Sequence, residues 1–261
     1  MKSFFFPEVG FWPKFAKLAI PITLQMLLYS ANGMIDLLMV GQLDHYAIAA
    51  LALCSALFIV SFSIINGMSS GVGILAAQYF GAKDNSGVRK TLVQGSFWAF
   101  VVATPIFILY TFFSYEFFSL ILKDETVILY CSQYMKITAL SAFTIALYSS
   151  LQGMLSAIGK PTVALFITIF SVLLNAFLNY VFIFGNFGMP ALGLEGAAIA
   201  TVVSFALQPI LLLVYMRLKI KQFLPTLSDF QTIKNKIKIK QYLVISSTVS
   251  INGFLWSAGA F

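Results

Sequence analysis

The chain is a succession of long apolar runs separated by short polar stretches, with little strict alternation of apolar and polar positions. Runs of this length fit membrane-spanning helices, which need about 20 mostly apolar residues, whereas spanning strands give short alternating segments. The runs cover roughly Phe15–Val40, Ala47–Phe80, Thr91–Phe113, Tyr130–Gly153, Thr162–Phe184 and Gly196–Met216, and another begins near Tyr242. The pattern predicts an all-α integral membrane protein: a six-helix lobe over 1–216, a basic linker over 217–241, and the start of a second lobe over 242–261.

Composition agrees. The chain is 60% hydrophobic and 10% charged, where a soluble domain carries about 25% charged residues. The net charge of +7 raises the question of nucleic acid, but its distribution argues against that partner. Lys2, Lys14, Lys17, Lys83, Arg89, Lys90, Lys160, Arg217 and the linker lysines fall on one side of the predicted membrane. The other side holds Lys123, with Lys136 just inside a span. This is the positive-inside asymmetry, which predicts a multi-pass protein of the plasma or inner membrane with a cytoplasmic N-terminus. Met1–Lys14 lacks the order of a cleavable signal and reads as an interfacial lead-in, with Trp12 at headgroup depth.

Few positions carry chemistry. Cys54 and Cys131 read as small packing residues, and His45 as a solvated residue of a short connection. Phosphate-binding loops, zinc-ligand spacings and nucleophile–base motifs are absent, so the sequence predicts no enzyme and no cofactor. The first run stands out. Gln25, Tyr29, Asn32 and Asp36 share one helical face, either a seam between helices or the wall of an aqueous pathway. An acid inside a spanning helix costs roughly 2.5–3.5 kcal/mol on insertion scales and marks a functional site by default. The fifth run carries Asn175 and Asn179, four apart and on one face, whose amides suit a cluster with Asp36. Such a cluster serves coupling to an ion or only packing. Pro21 and Gln208-Pro209 predict kinks, and Gly67–Gly73 predicts close helix approach.

An internal match sharpens the domain reading. Leu27–Asn32 resembles Phe254–Gly259, which sets Gln25 opposite Asn252 and Tyr29 opposite Trp256. The counterpart of Asp36 falls just past Phe261. Duplicated six-helix halves are a transporter architecture, so the chain reads as the first half of a larger one, which its second lobe would complete.

Four stretches together resemble the multidrug and toxic compound extrusion (MATE) family. They are Pro21–Asp36 with the following Leu38-Met39-Val40-Gly41; Ala76–Asp84; Leu151-Gln152-Gly153 through Gly159-Lys160-Pro161; and Leu174–Tyr180 through Gly185, Gly193 and Gly196–Thr201. The resemblance implies twelve helices in two lobes around a substrate cavity. It also implies export of amphipathic, often cationic, compounds in exchange for H⁺ or Na⁺. It puts ion coupling at Asp36, Asn175, Asn179 and Thr201, with Na⁺ conceivable at the first three and Ala197 nearby. Pro21 becomes the helix kink, and Gln25, Tyr29, Asn32 and Gln152 line the cavity. Three departures stand out: Asn179 where some members carry a second acid, Ser156 where many carry Arg, and Trp256 where some carry Glu. A flippase of lipid-linked saccharides is the alternative in the same superfamily, but the spans lack the deep cations that a pyrophosphate headgroup needs.

Overall fold

The computed structural model describes residues 11–259, and these are helical almost throughout. The order is α1 (Phe11–Val40), α2 (His45–Gly81), α3 (Asn85–Phe112), α4 (Ser114–Ser119), α5 (Glu125–Thr138), α6 (Ser141–Ala157), α7 (Pro161–Phe184), α8 (Gly193–Lys219) and α9 (Lys236–Ala258). Among the described residues, α1, α2, α3, α7 and α8 are each long and apolar enough to cross a membrane. The predicted lead-in lies mostly outside the described residues, and α1 already includes Trp12.

The short polar connections earn their acids as caps. Asp44 accepts from the Ala47 amide at 2.8 Å, Asp84 from the Gly87 amide at 2.8 Å, and Asp124 from the Thr126 amide at 2.9 Å. Each satisfies an otherwise orphaned donor at a helix start. Pro161 opens α7 at a position where its missing N–H is not needed, and Gly185 ends that helix at φ +73°.

Two elements differ from the sequence expectation. The fourth span is not one helix over Tyr130–Gly153; it breaks between Thr138 and Ser141 into α5 and α6. The Thr138 hydroxyl back-bonds to the Tyr134 carbonyl at 2.9 Å, and the next turn tightens through Ala142 N–H to Ala139 O at 3.1 Å. The linker is also shorter than 217–241, since α8 runs to Lys219 and α9 begins at Lys236, and the residues between are folded. Two 3₁₀ helices, Lys221–Phe223 and Leu227–Lys234, lie against α3. Buried Asp229 holds this segment to the bundle. It accepts from Arg89 Nε at 2.8 Å and from Thr226 N at 2.9 Å, while Arg89 Nη1 donates to Gln222 O at 3.1 Å.

Many large apolar side chains point outward, as at Trp12, Leu38, Phe166 and Leu173, while the interior mixes Leu, Ile and Met with many small and polar residues. That inversion suits a bundle in lipid, where small residues allow helices to approach. One tight case joins α2 to α9. A Cβ on Gly67 would lie 2.3 Å from Ser250 Cα, and one on Gly71 would lie 2.1 Å from Ser246 Oγ. The Tyr242 hydroxyl donates to Met68 O along the same seam. Cys54 and Cys131 are buried free thiols where α2 meets α5.

Candidate functional site

The polar face of α1 turns inward. Gln25, Asn32 and Asp36 are buried, while Met26, Leu27, Met34 and Leu38 beside them are exposed. Helical spacing puts the four polar residues in one line, and packing of α1 against α7 brings that line to Asn175 and Asn179. α1 continues through Pro21 without interruption.

Asp36 is the centre of a dense cluster. Asn179 Nδ2 donates to Asp36 Oδ1 at 2.5 Å, and Asn32 Nδ2 donates to Asp36 Oδ2 at 3.3 Å. Each carboxylate oxygen therefore has one amide donor, the minimum a buried charge requires. Asn179 Nδ2 also reaches Asn175 Oδ1 at 3.2 Å. Asn175 Nδ2 lies 3.5 Å from Thr201 Oγ1 and 3.4 Å from Ser204 Oγ on α8. Asn175 and Asn179 are fully buried. Two oxygens remain uncommitted: Asn32 Oδ1 and Asn179 Oδ1 are buried without a hydrogen-bond partner.

The network does not stop there. Ser171 Oγ donates to Ser204 O at 2.8 Å, Gln208 Nε2 donates to Ser171 Oγ at 2.8 Å, and Tyr29 OH donates to Gln208 Oε1 at 3.0 Å. Polar contacts thus run from Asp36 through α7 and α8 back to Tyr29 on α1. Tyr29 faces a cavity of about 740 Å³ whose wall includes Gln25, Phe62, Asn66, Gln152, Asn252 and Trp256. The volume suits a drug-sized molecule, and the wall is mostly apolar with a few converging amides, as ligand sites usually are. Gln152 Nε2 donates to Gln25 Oε1, and Gln25 Nε2 reaches the carbonyls of Pro21 at 3.2 Å and Pro161 at 3.4 Å. The side chains facing this cavity include no Lys or Arg among the described residues.

The residues singled out in sequence thus divide into two groups. Asp36, Asn175, Asn179 and Thr201 come together; Gln25, Tyr29 and Gln152 meet in the cavity wall. Asn32, grouped with the wall by resemblance, turns instead to Asp36 and is not among the cavity-lining residues. The matched positions Gln25 and Asn252, and Tyr29 and Trp256, face one cavity from α1 and α9. Sequence reasoning missed Tyr134, Ser171 and Ser204, and took Gln208 only as part of a kink. Tyr134 on α5 is buried in the neighbourhood of Thr201 and Asp36. Thr201, Ser204 and Gln208 lie three and four apart on α8, so one polar face was readable there. Tyr134 offered no such signal, because tyrosine in an apolar run equally marks a membrane interface.

Comparison with known proteins agrees with this architecture. The family model described as MatE matches residues 21–181. "Probable multidrug resistance protein NorM" of Agrobacterium fabrum is 30% identical over 77% of this chain and 43% of its own length. The protein of the same description from Bradyrhizobium diazoefficiens is 34% identical over 71% of this chain and 40% of its own. The chain therefore spans about two fifths of the length of these relatives. Among solved structures, a MOP superfamily transporter from Pyrococcus furiosus superposes with a TM-score of 0.81 at 21% identity, covering 92% of this chain and 52% of that one. An outward-facing multidrug resistance MATE transporter superposes with a TM-score of 0.79 at 23% identity, over 92% and 52%. These likenesses bear on the fold, whereas the family match rests on sequence. This chain belongs to the MatE family.

Proposed function

We propose that this chain forms one lobe of an exporter of amphipathic, chiefly cationic, organic compounds, driven by entry of H⁺ or Na⁺. The observation that carries this reading is the buried Asp36 carboxylate, held by Asn179 at 2.5 Å and Asn32 at 3.3 Å beside two amide oxygens that have no partner. A second lobe would close the cavity from the other side, and the basic linker end would face the cytoplasm by the positive-inside rule. NorM relatives described as multidrug resistance proteins support the substrate class. So does a cavity wall without Lys or Arg, bearing Tyr29, Phe62 and Trp256, whose ring faces attract cations. The same wall disfavours a pyrophosphate-linked saccharide.

Coupling follows from the bonding capacity of Asp36. As a carboxylate it only accepts, and both its amide neighbours donate to it. A proton on Oδ2 makes that oxygen a donor facing another donor, Asn32 Nδ2. Turning the Asn32 amide presents its unpartnered Oδ1 and relieves the conflict. Asn179 is less free to turn, because its Nδ2 also serves Asn175. Sodium would use the same oxygens directly, with the carboxylate supplying charge. Either ion removes the net charge that α1 presents to α7 and α8 and so alters which packing of α1 is favoured. An ion can drive such a change only by binding the two packings unequally.

The test is efflux of a fluorescent organic cation from vesicles under an imposed H⁺ or Na⁺ gradient. Asp36→Asn is expected to abolish gradient-driven efflux while leaving the protein folded. Unchanged gradient dependence in that variant would reduce the cluster to a packing network. Translocation of a lipid-linked saccharide in place of the cation would favour the flippase.

A further inference from the structure

A second polar cavity, of about 360 Å³, lies where the linker meets α3, far in sequence from Asp36. Its wall carries Ser86, Arg89 and Lys90 from α3, and Ser228, Asp229 and Thr232 from the linker. A narrow recess continues inward past Lys90 and Thr232 to Gln94 and Tyr242. We propose that this crevice binds a phosphate group, supplied by an anionic phospholipid headgroup or by a free phosphate. The proposal does not depend on what the transporter exports.

The charges come first. Asp229 is already engaged by Arg89 and by the Thr226 amide and hydroxyl, so its negative charge is balanced within the wall. Lys90, half-buried in the same crevice, has no ion-pair partner among the described residues. The crevice is therefore left with one uncompensated positive charge. The neutral groups point the same way. Gln94 and Thr232 are 3% and 5% exposed, yet Gln94 Nε2 and Thr232 Oγ1 have no hydrogen-bond partner. The amide nitrogen only donates, the ammonium only donates, and the hydroxyl is free to donate. Such a set calls for a ligand that only accepts. A phosphate offers several acceptor oxygens with negative charge, and hydrogen bonds in which both partners are charged are the stronger kind. A water molecule would satisfy one of these donors but not the charge.

The position suits a headgroup. Lys90 lies in the second turn of α3, and Lys83 marks the neighbouring turn at the basic end of the bundle. A phosphate there would bridge α3 to the linker and thus fasten the tether between the lobes.

The experiment uses the purified protein in nanodiscs of zwitterionic lipid, with or without phosphatidylglycerol. Retained lipid is read by native mass spectrometry, and inorganic phosphate is titrated by thermal shift. Lys90→Gln is expected to weaken binding about five- to tenfold, in line with the worth of one lysine at a charged surface. Thr232→Val and Gln94→Leu, which change no charge, should each weaken it about threefold. Lys90→Arg should retain it, which separates loss of the site from loss of the fold. Phosphatidylglycerol retained without a phosphate response assigns the site to a headgroup; phosphate that competes with the lipid assigns it to the anion in general. If neither binds, the proposal is overturned. It is equally overturned if Lys83→Gln, outside the crevice, weakens binding as much as Lys90→Gln, or if the two neutral variants have no effect.

Discussion

α1 and α9 face the same cavity, yet they are held by different physics. The polar residues of α1 are satisfied across helices: Asp36 by Asn179 of α7, Tyr29 by Gln208 of α8, and Gln25 by Gln152 of α6. In α9, among the described residues, only Tyr242, on Met68 O, and Ser250, 3.4 Å from Ile64 O, bond across to α2; Ser246 Oγ has no partner, and the other hydroxyls turn to their own helix. Ser250 Oγ donates to Ser246 O at 2.9 Å, and Ser257 Oγ donates to Gly253 O at 2.9 Å. What attaches α9 is shape, with Gly67 and Gly71 leaving room for serine-bearing backbone. One helix is therefore seated by electrostatics and hydrogen bonding, which a bound ion alters. The other is seated by close contact, which an ion leaves untouched. If α1 responds to protonation, as proposed, and α9 stays in register, each has the kind of joint its task calls for.

The contrast can be broken most severely on the α9 side. Gly67→Leu places a branched side chain where Ser250 Cα already lies 2.3 Å from an added Cβ, so α9 must shift. The expected cost is about 3 kcal/mol, at the upper end for overpacking. It would appear as a lost disulfide crosslink between Ser63→Cys and Gly253→Cys. Gly33→Ala on α1 meets nothing within 4 Å and should leave both crosslinking and stability nearly unchanged.

On the α1 side, Gln208→Leu removes the link between Tyr29 and Ser171 while keeping the bulk of the side chain. Leaving two polar groups without that partner should cost about 2 kcal/mol. If the chain of contacts transmits the state of Asp36, gradient-driven efflux should fall more than the affinity for the exported cation. Equal loss of both would assign Gln208 to the cavity alone.

The smallest effect belongs to the linker and sets in only in acid. Burial by itself would push the Asp229 carboxyl up, but hydrogen bonds from Arg89 and Thr226 outweigh it and hold the group below the usual carboxylate range. A depressed folded value means that the linkage stabilises docking fully above the unfolded value, near pH 4 for an ordinary Asp. That contribution is lost as the pH falls through the lower, folded value. Hydrogen exchange of residues 221–234 should therefore be flat from neutral pH down to about pH 4 and rise below it, after correction for the intrinsic rate. Arg89→Gln should move the rise toward higher pH.

The site was legible where chemistry and periodicity coincide. Asp36 declares itself as an acid in an apolar run, and the spacing of Asn175 and Asn179 makes them its natural partners. The broken fourth span was not legible, because Ala139 and Leu140 carry neither proline nor glycine, and a back-bonding hydroxyl like that of Thr138 also occurs within unbroken helices, as at Thr168 of α7. The folded linker was hidden for another reason. Its anchor pairs Arg89 with Asp229, charged residues far apart in sequence with no shared period. The small residues of α2 announced a close approach but not the helix that makes it, since Ser246 and Ser250 look like ordinary polar interruptions of α9. The role of Asn32 lay in between: its face was predictable, but which neighbour it would choose depended on how α1 rotates against α7.

The pinned segment between α8 and α9 also bears on how freely α9, and any lobe it would begin, can move. Residues 220–235, if extended, would reach about 50 Å, long enough to impose almost no restraint. Folded against α3 and fastened by Arg89, the same residues become a short strut. If a second lobe follows α9, as proposed above, it would be tethered at its root, so its travel would be small near the linker and grow with distance from it, as a door's does from its hinge.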